Sequence, residues 1–227
     1  MTLTVKNAAS DRPSLYLYGE IGDEWGGITS DMFRKELAAI DTKKPLDLHI
    51  DTVGGNFFQG VAMHSLLTQR QGPVHVHVDG LAASAGSVVA MAGRTIQMAR
   101  GSAMMIHEAR LNYMPDGRAE DHRKMADLLE AINSTIVGIY SKRWKGSEDE
   151  LRSAIGAETW LFDDKAVELG LADSVAEALA VAARVGDVAK FKYLNVPKLV
   201  RESPPIPPGL AAIGDAVDEL FPEESAA

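Results

Sequence analysis

Among the side chains of this 227-residue chain, a serine at a strand-to-helix turn, a histidine at a strand end and a carboxylate could together perform acyl-transfer chemistry. Ser84 lies where the alternating run Val74-His75-Val76-His77-Val78 gives way, through Gly80-Leu81-Ala82-Ala83, to a helix beginning around Ala85-Gly86. A hydroxyl on such a turn projects from the backbone, the helix N-terminus adds partial positive charge, and small neighbours admit a carbonyl. Ser87 is the rival, but one turn into the predicted helix its hydroxyl is expected to return to the backbone. His107 closes the run Ala103-Met104-Met105-Ile106, from which a base can reach an adjacent turn. The other histidines, His49, His64, His75, His77 and His122, come with no evident partner. For the acid, Glu158, Asp163 and Asp164 all stand open. Asp163 and Asp164 have a structural use as caps of a helix over 165–169, whereas Glu158 precedes the apolar Trp160-Leu161-Phe162, which would shelter it. Gly54-Gly55 falls between a strand and a helix, so its backbone N–H groups are placed to stabilise an oxyanion.

Other chemistries are excluded or unsupported. The chain has no Cys, which removes disulfides, thiolate metal sites and a cysteine nucleophile. HExxH, GxxxxGK[ST] and GxGxxG are absent, and His75 and His77 share a strand face without a third ligand, so neither a metal nor a cofactor is expected. The charge balance of 23 Lys+Arg against 32 Asp+Glu gives −9, which argues against nucleic acid or an anionic membrane as partner. With 46% hydrophobic residues the chain should be globular, and no run approaches the ~18 apolar residues of a membrane helix. Its first residues, Met1 to Asn7, lack the basic start and apolar core of a secretion signal, so the cytoplasm is the expected compartment.

The elements that must position these groups follow from periodicity. After 13 polar, apparently irregular residues, Leu15-Tyr16-Leu17-Tyr18 reads as the first strand. A helix over 28–40 places Met32, Phe33, Leu37 and Ile40 on one face, and Pro45 stops its continuation. A strand over 46–50 leads through Gly54-Gly55 to a second helix. The pattern recurs with a strand over 74–78, broken by Gly80, and a helix of small residues over 82–92. Two short strands follow over 95–98 and 103–107. Between 118 and 144, Met125, Leu128, Leu129, Ile132, Ile136, Ile139 and Tyr140 recur at helical spacing, predicting a long amphipathic helix. Ser147 and Glu150 form a capping box for a short helix, and Trp160-Leu161-Phe162 reads as extended. Strands alternating with helices indicate an α/β protein with largely parallel pairing. Residues 201–227 carry six acidic residues against one basic and open with Ser203-Pro204-Pro205-Ile206-Pro207-Pro208-Gly209, a linker and acidic tail.

In order and spacing, five segments resemble the proteolytic subunit of the Clp protease, a serine peptidase, most closely its phage-encoded relatives in head maturation. They are Leu17-Tyr18-Gly19-Glu20-Ile21, Ile50-Asp51-Thr52-Val53-Gly54-Gly55, Gly80-Leu81-Ala82-Ala83-Ser84-Ala85-Gly86, Met104-Met105-Ile106-His107, and Lys165 through Asp173. The resemblance implies a Clp/crotonase-type βαβ spiral with a protruding handle helix. Its domains would be a short segment over 1–14, a peptidase domain over 15–200 and the tail over 201–227. It further implies Ser84 as nucleophile, His107 as general base and the Gly55 and Ala85 amides as oxyanion hole. Counting back from Ala166-Val167-Glu168-Leu169-Gly170, the family's usual Asp falls on Glu158, one methylene longer. The resemblance also implies polypeptide substrates, with capsid or scaffold protein the target in the phage case, and host cytoplasm or prohead as the setting. Rings of about seven subunits, stacked through the handle, are the family's habit. Only about 14 residues precede Leu15, which counts against an axial gate meeting an ATP-driven unfoldase. The competing readings are a crotonase-like acyl-CoA enzyme and a catalytically silent ring-forming scaffold.

Overall fold

In the computed structural model, residues 2–23, 26–111, 116–176 and Pro197 are described. The alternation Thr2-Leu3-Thr4-Val5-Lys6 forms β1 (Thr2–Lys6), paired antiparallel with β2 (Ser14–Tyr18). This corrects the expectation that the first 13 residues are irregular. Leu3 and Val5 supply only two apolar positions, too few for a periodic signal, yet both pack against the core once β2 offers its edge.

The strands that follow are β3 (Leu46–Thr52), β4 (Val74–Ala83), β5 (Thr95–Met98), β6 (Ala103–Ile106), β7 (Thr159–Phe162) and β8 (Ser174–Val175). They form one sheet ordered β1-β2-β3-β4-β5-β8, with β6 pairing β4 and β7 pairing β6. Only β1–β2 and β6–β7 are antiparallel among these pairings. The helices are α1 (Ser30–Ala38), α2 (Phe57–Thr68), α3 (Ala85–Ala90), α4 (Ala119–Tyr140), α5 (Glu148–Gly156) and α6 (Asp163–Glu168). Thr29 and Asn56 cap α1 and α2 through side-chain oxygens that accept from Met32 N and Gln59 N. At α5 the expected capping box is present: Ser147 Oγ accepts from Glu150 N, and Glu150 Oε2 accepts from Ser147 N at 2.7 Å.

β4 differs from the expected strand in a way that matters for the site. Rather than ending at Gly80, it runs on to Ala83, and α3 starts only at Ala85. Its first half pairs β5 (His75 to Val78 against Thr95 to Met98) and its second half pairs β6 (Leu81 to Ala83 against Ala103 to Met105). Gly80 therefore sits where the strand changes partners, next to a register irregularity in β3 between Ile50 and Thr52. One core unites the buried face of β2, β3 and β4 with Phe33, Met63, Leu67 and Val89 of the helices. A smaller cluster of Val53, Leu81, Ala83, Ala103 and Met105, joined by Trp160 and Phe162, forms around β6 and β7. No residue of α4 before Ile136 is buried, so its N-terminal turns project from the body as the handle.

The histidines expected to stand alone on the strands have partners. Parallel register aligns Tyr16, His49 and His77 on adjacent strands, and their rings stack with centroids 4.5 and 4.8 Å apart. His49 Nδ1 hydrogen-bonds with Asp79 at 2.8 Å, His77 Nε2 with Asp47 at 2.9 Å, and His75 Nδ1 with Thr95 Oγ1 at 2.8 Å. Among the described residues, no helix is long and apolar enough to cross a membrane and no group of three or more His, Asp or Glu is arranged to hold a metal ion. The tail over 201–227 and the end of the predicted domain, from 177 onward apart from Pro197, lie outside the described residues.

Candidate active site

Strand register gathers the candidate residues from three chain segments. The parallel pairing of Ala83 with Met105 places Ser84, the next residue, beside the end of β6, and Ser84 N donates to Met105 O at 2.9 Å. His107 immediately follows β6. Ser84 Oγ and His107 Nε2 meet at 2.7 Å, within hydrogen-bond distance for transfer of the hydroxyl proton. The antiparallel pairing of Ile106 with Thr159, continued by one residue, puts Glu158 opposite His107.

Ser84 adopts φ 54° and ψ −121°, a region that non-glycine residues rarely occupy. This sharp turn between β4 and α3 directs the hydroxyl out of the sheet. Glu158 also has a positive φ of 52°, at the turn from α5 into β7. Ser87 is fully buried, and its hydroxyl lies 2.7 Å from Ser84 O, 2.9 Å from Met105 O and 2.8 Å from Tyr140 Oη. As expected of a helical serine, it is engaged with the backbone, and the Tyr140 contact ties α4 to the nucleophile turn.

Gly55 and Ala85, whose amides the sequence offers as an oxyanion hole, both line the space beside Ser84. Among the described residues, neither Gly55 N nor Ala85 N donates to a backbone acceptor outside the helices and strands. Gly54 and Gly55 have φ of 89° and 142°. A Cβ on Gly54 would lie 2.5 Å from Ala83 O and 2.8 Å from Ser84 Cβ, while one on Gly55 would collide with Ile21 O. Glycine is therefore required twice over, for its conformation and for the close approach of this loop to the Ser84 turn. Thr52 locks the loop in place by accepting from Gly54 N at 3.0 Å and donating to Gly19 O at 2.5 Å.

Gly55, Ser84, Ala85 and His107 line a cleft of about 460 Å³. Its far wall is apolar, built from Phe58 of α2, Val88 of α3 and Leu128, Leu129 and Ile132 of α4. Phe58 and Leu128 are 61% and 43% exposed, apolar surface turned toward solvent at the cleft mouth.

Burial pushes the His107 imidazole down from its ordinary value to about 4, reinforced by the Arg110 charge and opposed by the Glu158 charge. The ring is thus neutral at physiological pH and available as a proton acceptor. Glu158 is itself buried; its Oε2 accepts from Arg110 Nη2 at 2.9 Å and its Oε1 lies 3.4 Å from Trp160 Nε1. The alternative acids lie at the opposite end of the β6–β7 pair. Asp163 N donates to Ser102 O, its Oδ2 accepts from Gly101 N at 2.8 Å, and Arg100 bridges to both Asp163 and Asp164. Five residue steps along the strand carry the chain from Ser102 to His107, a distance of roughly 16 Å. Asp163 and Asp164 are also not the cap of α6, whose N-cap is Phe162; they form its first turn.

Arg110, Thr52 and Tyr140 were not visible as site residues in the sequence. Each acts through a tertiary contact rather than through spacing, and only the proximity of Arg110 to His107 in the chain offered a signal.

The family model described as Clp protease matches residues 3–178. ATP-dependent Clp protease proteolytic subunit 1 of Protochlamydia amoebophila is 30% identical over 154 residues, covering 66% of this chain and 74% of that protein. The ATP-dependent Clp protease proteolytic subunit of Deinococcus radiodurans is 27% identical over 145 residues, 62% of this chain and 70% of that one. Among solved structures, a mutant ClpP1 from Listeria monocytogenes matches with a TM-score of 0.62 at 20% identity, over 73% of this chain and 91% of that chain, a likeness of fold.

Proposed function

The chain belongs to the Clp protease family, a family of serine-type endopeptidases, and we propose that it cleaves polypeptides with Ser84 as nucleophile, His107 as general base and Glu158 as the orienting acid. The 2.7 Å contact between Ser84 Oγ and His107 Nε2, inside a cleft that Gly55 and Ala85 also line, is the observation that carries this reading. His107 Nε2 takes the hydroxyl proton as Ser84 Oγ forms its bond to the peptide carbonyl carbon. The carbonyl electrons move onto oxygen, where the Gly55 and Ala85 N–H groups hold the negative charge. His107 then returns the proton to the leaving nitrogen as the C–N bond breaks. Water, deprotonated by the same imidazole, releases the acyl group and restores Ser84.

The natural substrate in this reading is a capsid or scaffold protein during phage head maturation, with host cytoplasm or prohead as the setting. What supports it is the resemblance read in the sequence from the five motif segments. Assembly into rings of about seven subunits, stacked through α4, is supported by the exposed Leu128 and the half-buried Met125, Leu129 and Ile132 on that projecting helix. The neutral Ser84–His107 pair favours peptidase chemistry over the crotonase alternative, which relies on carboxylates beside the acyl group.

Fluorophosphonate treatment followed by mass spectrometry tests the assignment. The wild type should carry one adduct, on Ser84, and Ser84→Ala should lose both the adduct and peptide hydrolysis. Undiminished labelling of Ser84→Ala would remove Ser84 from the mechanism.

A further inference from the structure

Three residues beyond His107, the chain leaving β6 turns Arg110 back across the site. Its Nη2 lies 2.9 Å from Glu158 Oε2. The Glu158 side chain is only 3% exposed, while the Arg110 side chain is 33% exposed and lines the cleft beside Leu111. We propose that Arg110 is a positioning residue for the reaction, its guanidinium holding the Glu158 carboxylate in the orientation from which it serves His107. This rests on Glu158 and His107 being the acid and base of the proposed peptidase.

The argument begins with the length of the acid. Glu carries one more rotatable bond than Asp, so a buried Glu in this role needs a group that fixes its torsions. A planar guanidinium supplies directional N–H donors that match a carboxylate, whereas an ammonium offers only a point charge on a flexible stem. Trp160, from the adjoining strand β7, stands on the other oxygen at 3.4 Å, so the two carboxylate oxygens are approached from different elements. The electrostatics agree with the contact. Arg110 and Glu158 act on His107 with opposite sign, the cation lowering its proton affinity and the anion raising it. Their pairing lets an anion stand beside the base without drawing a proton onto it. A guanidinium bound to a buried carboxylate is also poorly placed to bind an acidic substrate side chain, the other role a cation in the cleft wall would have.

The test compares Arg110→Ala, Arg110→Gln and Arg110→Lys, each alone and combined with Glu158→Gln, by peptide hydrolysis over a range of pH and by NMR titration of the His107 ring. Arg110→Ala should lower kcat by roughly 10²-fold, the scale of a 1 Å misplacement, with KM nearly unchanged. The His107 titration should move up from about 4 toward its ordinary value, because the stronger of the two opposing charges has gone. Arg110→Lys should recover part of kcat. In the Glu158→Gln background, removing Arg110 should change kcat by less than about threefold, since coupled residues do not add. A rise in KM at constant kcat would make Arg110 a substrate contact and overturn the proposal, as would equal losses in both backgrounds or an unmoved His107 titration. The NMR arm needs no turnover. Absence of Ser84 labelling in the wild type would therefore refute the peptidase reading, while the His107 titration separately decides whether Arg110 governs the pair.

Discussion

Replacing Glu158 by Gln keeps the shape of the side chain and removes its charge. The substitution isolates what the acid does for His107, because register fixes Glu158 opposite His107 whichever group ends the side chain. A neutral amide cannot stabilise the imidazolium that forms as Ser84 attacks, and it can hold the ring in the wrong tautomer. Losing that service in a Ser–His–acid set costs about 10⁴ in kcat, or about 5 kcal/mol of transition-state stabilisation. Glu158→Asp draws the carboxylate back by roughly one C–C bond, ~1.5 Å, enough to open the 2.9 Å contact with Arg110, and should cost about 10²-fold. Asp163→Asn is the control, since Asp163 accepts from Gly101 N at the far end of the strand pair and should leave kcat nearly untouched. The pH profile adds a second readout. The Glu158 charge raises the proton affinity of His107, so Glu158→Gln should move the acid limb of kcat/KM below its wild-type position near pH 4. Hydrolysis of a fluorogenic peptide from about pH 3 to pH 8, with melting curves to verify folding at each pH, gives both quantities. A folded Glu158→Gln that retains kcat within tenfold, alongside an Asp163→Asn that loses three orders of magnitude, would refute the assignment.

Two further outcomes follow from residues bordering the site. Asp51 is buried at the end of β3, accepts from Leu81 N at 3.0 Å, and is pushed up to about 7, chiefly by burial. The native carboxyl keeps a proton between about pH 4 and pH 7 that the unfolded chain has released, so native stability falls as pH rises through that window. Asp51→Asn retains an acceptor without the charge and should raise the melting temperature at pH 8, with the gain shrinking at pH 5; equal destabilisation at both would contradict this. Gly54→Ala forces a methyl to 2.5 Å from Ala83 O at φ 89°, and should cost about 1–3 kcal/mol and at least 10²-fold in the rate of fluorophosphonate labelling by displacing the Ser84 turn. Wild-type labelling in that variant would show that the Gly54 loop and the nucleophile are not mechanically coupled.

Much of this arrangement was legible because local chemistry and periodicity agree. The alternation of Val74 to Val78, the capping box at Ser147 and Glu150, and the extended Trp160-Leu161-Phe162 each express a preference that the tertiary structure keeps. Ser84 could be singled out because a small-residue turn between strand and helix is itself a local feature. What escaped the sequence depends on partners. β1 is a strand only because β2 lends it an edge, and β4 runs through Gly80 because β6 takes over where β5 leaves off. The histidines of β3 and β4 found carboxylate and hydroxyl partners across strands that no spacing along the chain relates.

The same distinction explains why three acids stood open. Glu158, Asp163 and Asp164 lie within seven residues, and composition cannot separate them. Antiparallel register can: each step along β7 away from Glu158 is a step along β6 away from His107, so Asp163 arrives opposite Ser102, beside Arg100 instead of the imidazole. The parallel register of β4 on β6 sets Ser84 at the other flank of the same strand end. The convergence of hydroxyl, imidazole and carboxylate is thus a property of one short central strand, β6, paired on opposite sides with opposite polarity. A one-residue slip of β7 would turn its side chains to the other face of the sheet and separate Glu158 from His107. The cluster of Leu81, Ala103, Met105, Trp160 and Phe162 opposes that slip, because it buries apolar residues of β4, β6 and β7 together. The packing of this small satellite core, directly beneath the Ser84 turn, is therefore what holds Glu158 opposite His107.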